Sequence, residues 1–332
     1  VLGKEIQVSI IVLNYNKWEY LFPCLESIFT LQNISYQIII VDNASENDSV
    51  SRIFSYFNCQ QNISKETFIY QTIPVNIFRI RSTKYIYDVI LLQASTNKGF
   101  AFGNNIGLSY ASSHISSNYY WLLSNDTIVD SKALIQLHKA AEYNKKIGLW
   151  GSVLLEYEKD TIQAIAGKYN IITGLSGLLL TGKKYSVLCS SPEISENIGF
   201  PIGASLFISR DFLMNVGYLN ETYYLYYEEL DWVYRAKKQG YKCAIANKSL
   251  VYHKGGATIS QKSKLSDLIG LRSKMLFTKK YLPLTLPFAY IHFIFFIINR
   301  IRRMQFDRII PAVKIILNPN ISVDTIILIS NI

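Results

Sequence analysis

Two short apolar runs near the N-terminus, and what lies between them, constrain this chain more than any other feature. Residues 7–13 (QVSIIVL) are β-branched and apolar and stop at Asn14-Tyr15-Asn16; residues 36–41 (YQIIIV) stop at Asp42-Asn43. Between them, residues 18–31 set Leu21, Leu25, Ile28 and Phe29 at helical spacing. Strand, helix and strand in this order form a βαβ unit. Strands without a polar face belong to a parallel sheet covered on both sides. The carboxyl ends of such strands line the ligand crevice, and both runs end in polar residues.

The rest of the chain extends that unit. Residues 49–57 read as a helix. The stretch 60–95 has mixed apolar runs, one proline and no clear period, and reads as an elaboration between core elements in the form of a hairpin. The Gly/Asn-rich turn at 97–107 runs into a helix ending near Ser113. Residues 119–123 (YYWLL) form a third core strand, followed by a helix over 131–143 and a strand over 147–155. The segment 160–198 is a loop region with short strands, and 200–209 resume the core. Residues 223–239 begin aromatic and become helical, and 242–246 and 249–253 read as two short strands.

With 332 residues, 49% of them apolar, the chain can bury one large α/β domain (1–260) and carry a tail (261–332). The first strand-like run comes too early for a signal peptide to precede it. Cys24, Cys59, Cys189 and Cys243 form no CxxC pair, which fits a reduced compartment. The net charge of +10 is uneven: from Arg235 to Lys314 there are 17 Lys or Arg and two acids, Asp267 and Asp307. Such a segment attracts nucleic acid, anionic membranes or phosphorylated ligands.

Four places have residues suited to chemistry. Ser124-Asn125-Asp126-Thr127 ends the third core strand; a carboxylate there can hold a divalent cation such as Mg²⁺ or Mn²⁺, or simply shape an Asx turn. Glu228, Glu229 and Asp231 lie within four positions at a helix start. One of them can serve as a general base, although acids also favour helix N-termini for the dipole alone. Glu228 and Asp231 share a face and Asp231 can pair with Arg235, which leaves Glu229 free to face a substrate. His253, before Gly255-Gly256, is a metal or phosphate ligand or a structural histidine. The Gly99–Gly107 turn lets backbone approach an anion. It is neither GxGxxG nor a Walker loop, which weakens dinucleotide and ATP readings.

In this order, VSIIVLNYN, IIIVDNAS, NKGFAFGNNIG, YYWLLSNDT, GASLFISRDFLMNVGYLNE, YLYYEELDWVYRAKKQG and VYHKGG resemble family 2 glycosyltransferases, in particular the rhamnosyltransferase-like branch of bacterial surface polysaccharide synthesis. The resemblance covers roughly residues 7–58 and 97–256. It implies a GT-A fold, with a nucleotide-binding half and an acceptor half around one mixed sheet. By similarity, Asn14, Tyr15 and Asp42 hold base and ribose, and Asn97, Gly99 and Asn105 line the nucleotide site. Asn125 and Asp126 stand at the family's DXD-type metal motif, His253 matches a histidine that helps hold metal or diphosphate, and Glu229 falls on the base. Glu228 and Asp231 are reserves for that role. Two departures stand out. Ser124 replaces the first metal-motif acid, and the base is Glu rather than Asp.

The implied reaction is an inverting transfer from a nucleotide-sugar donor to a hydroxyl of a glycan acceptor linked to polyprenyl diphosphate. The first donor is dTDP-rhamnose, with the UDP sugars galactofuranose, glucose and N-acetylglucosamine open. A degenerate binding subunit of a polysaccharide assembly complex is the competing reading, because the metal motif holds one carboxylate. Residues 282–298 (LPLTLPFAYIHFIFFII) are slightly short for a span and flanked by Lys279, Lys280, Arg300, Arg302 and Arg303. They read as an interfacial segment on anionic headgroups, at the cytoplasmic face of a bacterial inner membrane. Their aromatics are gathered in this run rather than interleaved with basic residues, so nucleic acid is not expected as a partner.

Overall fold

The structure, a computed structural model, describes residues 6–58, 65–81, 88–188, 194–196, 198–255 and 263–330. Cys59, Cys189 and Gly256 lie outside the described residues, as does the 260/261 boundary drawn on the sequence.

The apolar runs become the middle of one sheet. In chain order the first elements are β1 (Val8–Asn14), α1 (Trp18–Phe29), β2 (Tyr36–Asp42), α2 (Ser49–Tyr56), β3 (Lys65–Tyr70), β4 (Ile73–Arg81) and β5 (Asp88–Ala94). Next come α3 (Phe100–His114), β6 (Tyr119–Ser124), β7 (Thr127–Val129), α4 (Ala133–Tyr143), β8 (Ile147–Glu156), β9 (Ile162–Ala164), β10 (Gly167–Tyr169) and β11 (Ser176–Leu178). The series ends with β12 (Ile194–Ser195), β13 (Ser205–Ser209), α5 (Arg210–Val216), α6 (Glu228–Lys238), β14 (Lys242–His253), α7 (Lys264–Tyr281), α8 (Leu286–Arg302), α9 (Ile309–Leu317) and α10 (Val323–Ser330).

Among the described residues the large sheet runs β12-β14-β8-β13-β6-β1-β2-β5-β4-β3. The centre is parallel: β1 pairs β2 with Asn14 opposite Asp42, and pairs β6 with Leu13 opposite Ser124. β13 enters antiparallel between β6 and β8, so the sheet is mixed. Successive side chains of a strand face opposite layers. Thus Ile11 packs toward α3 (Phe102, Ile106), while Ile10 and Val12 pack toward α1 (Leu21, Leu25, Ile28) and α4 (Leu134, Leu137). Covering both faces fixes the register, because a one-residue slip would exchange the two sets.

Two expectations are corrected. The stretch 60–95 does hold a hairpin, β3–β4, but its last part is β5, a core strand parallel to β2. The alternating pattern of β4 (Ile73, Val75 and Ile77 buried, Pro74 exposed) is that of a strand near the sheet edge, and it obscured the fully apolar strand after it. The two short strands at 242–246 and 249–253 are one strand, β14, whose pairing with β8 shifts between Ala246 and Leu250. A polar Asn247-Lys248 step looks like a turn in sequence but is a bulge here.

The tail begins as part of the body. On α7, Arg272 Nη1 donates to the Thr222 carbonyl (2.8 Å), Ser273 Oγ to the Leu225 carbonyl (2.9 Å), and Lys280 Nζ and Tyr281 Oη to Asp231 (2.9 and 2.8 Å). α8, α9 and α10 then pack around α7 through Leu268, Ile269, Ala312, Ile315 and Ile326.

Candidate active site

At the end of β1 and β2 the chain turns sharply. Asn16 (φ 56) and Ala44 (φ 60) are left-handed, a conformation that costs an alanine roughly 1–2 kcal/mol. The two exit loops are knitted together to hold it. Asn16 Oδ1 accepts from Glu46 N (2.8 Å), and Ser45 Oγ accepts from Asn16 N (2.9 Å). Asp42 is fully buried, and both its oxygens accept from Ser45 N at 3.2 Å. Burial raises its pKa above the ordinary value, partly offset by those Ser45 contacts. Beside it, Asn43 Nδ2 donates to Asn97 Oδ1 (2.9 Å) and the Gly99 carbonyl (3.1 Å), while its buried Oδ1 has no hydrogen-bond partner. Tyr15 is half-buried on the β1 exit.

β6 brings the acidic motif to the same edge. Asn125 Nδ2 donates to Asn14 Oδ1 (2.9 Å), which locks the two strand ends together. Next in the chain, Asp126 presents Oδ1 to His253 Nε2 at 3.3 Å; both side chains are largely buried, 8% and 15% exposed. β7 pairs antiparallel with the end of β14, with Thr127 opposite His253, and this pairing places the two side chains together. Gln163 then fixes the imidazole. Its Nε2 donates to the His253 carbonyl (3.3 Å), so its Oε1 faces Nδ1 (2.6 Å) as an acceptor. Nδ1 accordingly carries a proton, and Nε2 faces the Asp126 carboxylate.

A proton on Nε2 makes this an ion pair, and a lone pair there makes it a set of two cation donors. That donor set suits a divalent cation with mixed nitrogen and oxygen ligands, and the Gln163 contact is the outer support that ligating histidines usually have. Among the described residues no group of three or more His, Cys, Asp or Glu lies together. The chain therefore offers two donors and leaves the other positions to a ligand's oxygens, as is common for cations bound through phosphates. Lys254 follows His253. Its Nζ lies over the rings of Tyr157 (4.3 Å) and Tyr20 (5.1 Å).

The acid cluster at the start of α6 separates into three environments. Glu229 is half-buried; its Oε1 accepts from Gly203 N (3.0 Å), and Oε2 makes no hydrogen bond among the described residues. Burial raises its pKa. A Cβ on Gly203 would lie 2.4 Å from Oε1, so only glycine admits this contact. Gly203 precedes Ala204, whose carbonyl accepts from Ser124 N (3.1 Å), and this tethers Glu229 to the end of β6. Glu228 is buried, and its Oε2 has no partner. Burial and the adjacent Glu229 push its pKa well above the usual range.

Asp231 is fully buried and takes hydrogen bonds from Arg235, Lys280, Tyr281 and Asn220. Burial alone would raise its pKa, but these donors hold it below the ordinary value. A carboxylate so occupied is a poor proton acceptor, and the structure makes Asp231 a tie between α6 and α7 rather than a reserve base. Asn105 is also displaced from its expected role. Its amide bonds Leu219 N and O and Glu221, so it braces the 219–221 loop instead of lining a nucleotide site. Motif position says nothing about which partners a side chain meets across the fold.

Between these groups lies the aromatic turn. Tyr226 (φ 67) and Tyr227 (φ 74) are both left-handed, and two such residues in succession store strain of order 1–3 kcal/mol each. Tyr226 Oη bonds Ser266 Oγ (2.7 Å), and Tyr227 packs against Phe277 and Tyr169. Gly99 (φ +97) lies directly on this turn: the next amide, Phe100 N, donates to the Tyr224 carbonyl (2.8 Å). Sequence reasoning missed Ser45, Gln163 and Gly203. Ser45 and Gly203 stand inside matched segments, IIIVDNAS and GASLFIS, without a role of their own there, and Gln163 belongs to no motif.

Residues 9–72 match the model of the family described as glycosyl transferase family 2. Over 157 residues the chain is 24% identical to the low-salt glycan biosynthesis hexosyltransferase Agl10 of Haloferax volcanii, covering 46% of this chain and 47% of that protein. It thus spans about half the length of this curated relative. The fold is similar to that of GalNAc-T7 crystallised with UDP, GalNAc and Mn²⁺. The TM-score is 0.59 at 13% identity, covering 83% of this chain and 48% of the other.

Proposed function

We propose that this chain is a glycosyltransferase of the family 2 type, whose model its residues 9–72 match, and that it transfers a sugar from a nucleoside-diphosphate donor to a hydroxyl of a glycan acceptor, with inversion. The observation that carries this reading is the Asp126–His253 pair at the end of β6, with the imidazole oriented by Gln163 so that Nε2 faces Asp126. Asp126 and His253 would hold Mg²⁺ or Mn²⁺, which when bound neutralises charge on the donor diphosphate. Lys254 adds a second positive charge beside it. Asp42, at the end of β2, stands on the side where the nucleoside's ribose and base would lie, with Asn14, Asn97 and Asn125 holding the loops in place.

Glu229 takes the acceptor's proton. Its free Oε2 is the receiving atom, and burial keeps it basic enough to accept. The acceptor oxygen then bonds to the anomeric carbon as the bond from that carbon to the diphosphate oxygen breaks, and the nucleoside diphosphate departs. dTDP-rhamnose and UDP-hexoses are the donors in view. The hexosyltransferase name of the archaeal relative supports a hexose, and the UDP of the GalNAc-T7 structure supports a uridine nucleotide. The apolar, basic C-terminal helices support a lipid-linked acceptor in surface-polysaccharide synthesis and a peripheral station on the inner face of the membrane.

The test couples binding to turnover. UDP or dTDP with Mn²⁺ should raise the melting temperature, and Asp126→Ala or His253→Ala should remove that rise without lowering the unliganded value. Glu229→Gln should keep the nucleotide shift and lower transfer about 10²- to 10⁴-fold. A nucleotide shift that survives in EDTA overturns the metal assignment. A wild-type chain that binds donor but never turns it over is the degenerate binding subunit instead.

A further inference from the structure

Large apolar side chains cluster on the outside of two elements that are far apart in sequence. One is the tip joining β10 to β11, where Ile171, Ile172 and Leu175 are more than half exposed. The other is the outer face of α8, where Phe288, Ile291 and Phe295 are 43–63% exposed. α8 with its preceding turn, Pro283–Arg302, is long and apolar enough to cross a bilayer by length and composition. Its inner face is already committed, since Ala289 and Phe293 pack with Met275 and Leu271 of α7, and Arg300 pairs with Asp267 at 3.0 Å.

The two exposed patches adjoin across α7. A Cβ on Gly174, at the hairpin tip, would lie 3.5 Å from Lys274 Cε, and Lys274 Nζ lies 2.9 Å from His292 Nδ1 on α8. The tip has a fixed shape. Asn170 Oδ1 accepts from Ile172 N and Thr173 N at 2.9 Å each, and the Asn170 carbonyl accepts from Gly174 N at 2.8 Å. Two isoleucines are thus held outward by a polar frame, which is costly in water.

Charge identifies what covers them. From Thr161 to Leu188 there are three lysines (Lys168, Lys183, Lys184) and no acid. From Leu268 to Arg303 there are seven basic residues and again no acid. Apolar side chains bordered mainly by cations complement an anionic lipid surface, with the side chains below the headgroups and the cations among them.

We infer that the β10–β11 tip and the outer face of α8 form one docking platform for an anionic bilayer, with α8 lying along the surface. The inference rests on the membrane-linked reading above but not on the chemistry of transfer. It also gives the acceptor a direction. Tyr169, at the base of the same hairpin, packs on Tyr227 (6.1 Å) beside Glu228 and Glu229, so the turn with the base stands next to the lipid-facing tip. An acceptor anchored in the bilayer would reach the turn from that side.

The experiment is co-sedimentation of the full chain with phosphatidylcholine vesicles with and without phosphatidylglycerol. Wild type should bind only the anionic vesicles. The pair Ile171→Ser and Ile172→Ser should weaken binding about tenfold, and Phe288→Ser with Phe295→Ser at least as much. Nucleotide-induced thermal stabilisation should be unchanged in both, which shows that they fold and separates this inference from the donor site. Hairpin variants that bind like wild type overturn the two-part platform. Failure of wild type to bind, with a solution mass of two copies, replaces the bilayer by a second copy of this chain.

Discussion

The strand ends of β1, β2 and β6 are held by neighbours: Asn125 reaches Asn14 one strand over, Ser45 reaches Asp42 three residues back, and Asn97 caps Asn43 and Gly99. The turn at 222–227 and the acids after it are held from outside the sheet. Arg272, Ser273, Ser266, Lys280 and Tyr281 all reach them from α7, some 40–50 residues later in the chain. From another direction, Tyr70 of the β3–β4 hairpin donates to Glu221 at 2.5 Å. The first region is a by-product of making a parallel sheet. The second has a strained backbone that would relax without its clamps. The proposed nucleotide side is built from the sheet's own strand ends, and the proposed acceptor side takes its contacts from the C-terminal helix.

Breaking the clamp at its most buried point should give the largest effect. Asp231→Asn removes a carboxylate from two cations and should cost about 3 kcal/mol of unfolding free energy at pH 7, measured in urea. The native Asp231 pKa is depressed, so the wild-type advantage exists above the unfolded carboxylate pKa. It should vanish as pH falls through the folded value. Loss of nucleotide binding along with stability in this variant would show the two regions to be one cooperative unit.

A smaller change tests the hairpin brace. Tyr70→Phe removes one hydrogen bond to a carboxylate, worth roughly 1.5–3 kcal/mol. Turnover should drop several-fold while donor KM stays constant. A rise in donor KM instead would place the brace on the nucleotide side.

The smallest effect should come from Glu228→Gln. The folded pKa of Glu228 is raised, so wild-type stability is fullest below the unfolded value and is lost as pH rises toward the folded one. Glutamine has no such slope. The variant should match wild type near pH 4 and exceed it by roughly 1 kcal/mol at pH 8.

The same contrast explains what could be read from the sequence. β1, β2, β6 and β8 were visible because strands buried on both faces have no polar positions, and the acids and amides that follow mark their ends. Asp126 and His253 could be picked out singly by the same logic. β5 was lost because the edge hairpin before it alternates polar and apolar. Gln163 was lost because nothing local distinguishes a glutamine that will meet a histidine 90 residues away. Arg272 and Ser273 stood in a basic stretch that carried no motif. Their partners are backbone carbonyls, which leave no trace in the identity of the residue that owns them.

Gly99 is where the two regions touch. A first side-chain carbon there would fall 2.2 Å from the Tyr224 carbonyl oxygen, so the contact is main chain on main chain. Even alanine at this position would act as a wedge, opening a gap between the loop that follows β5 and the tyrosine turn. Its damage would be to the distance between a bound sugar and its attacker, with every named polar group still in place.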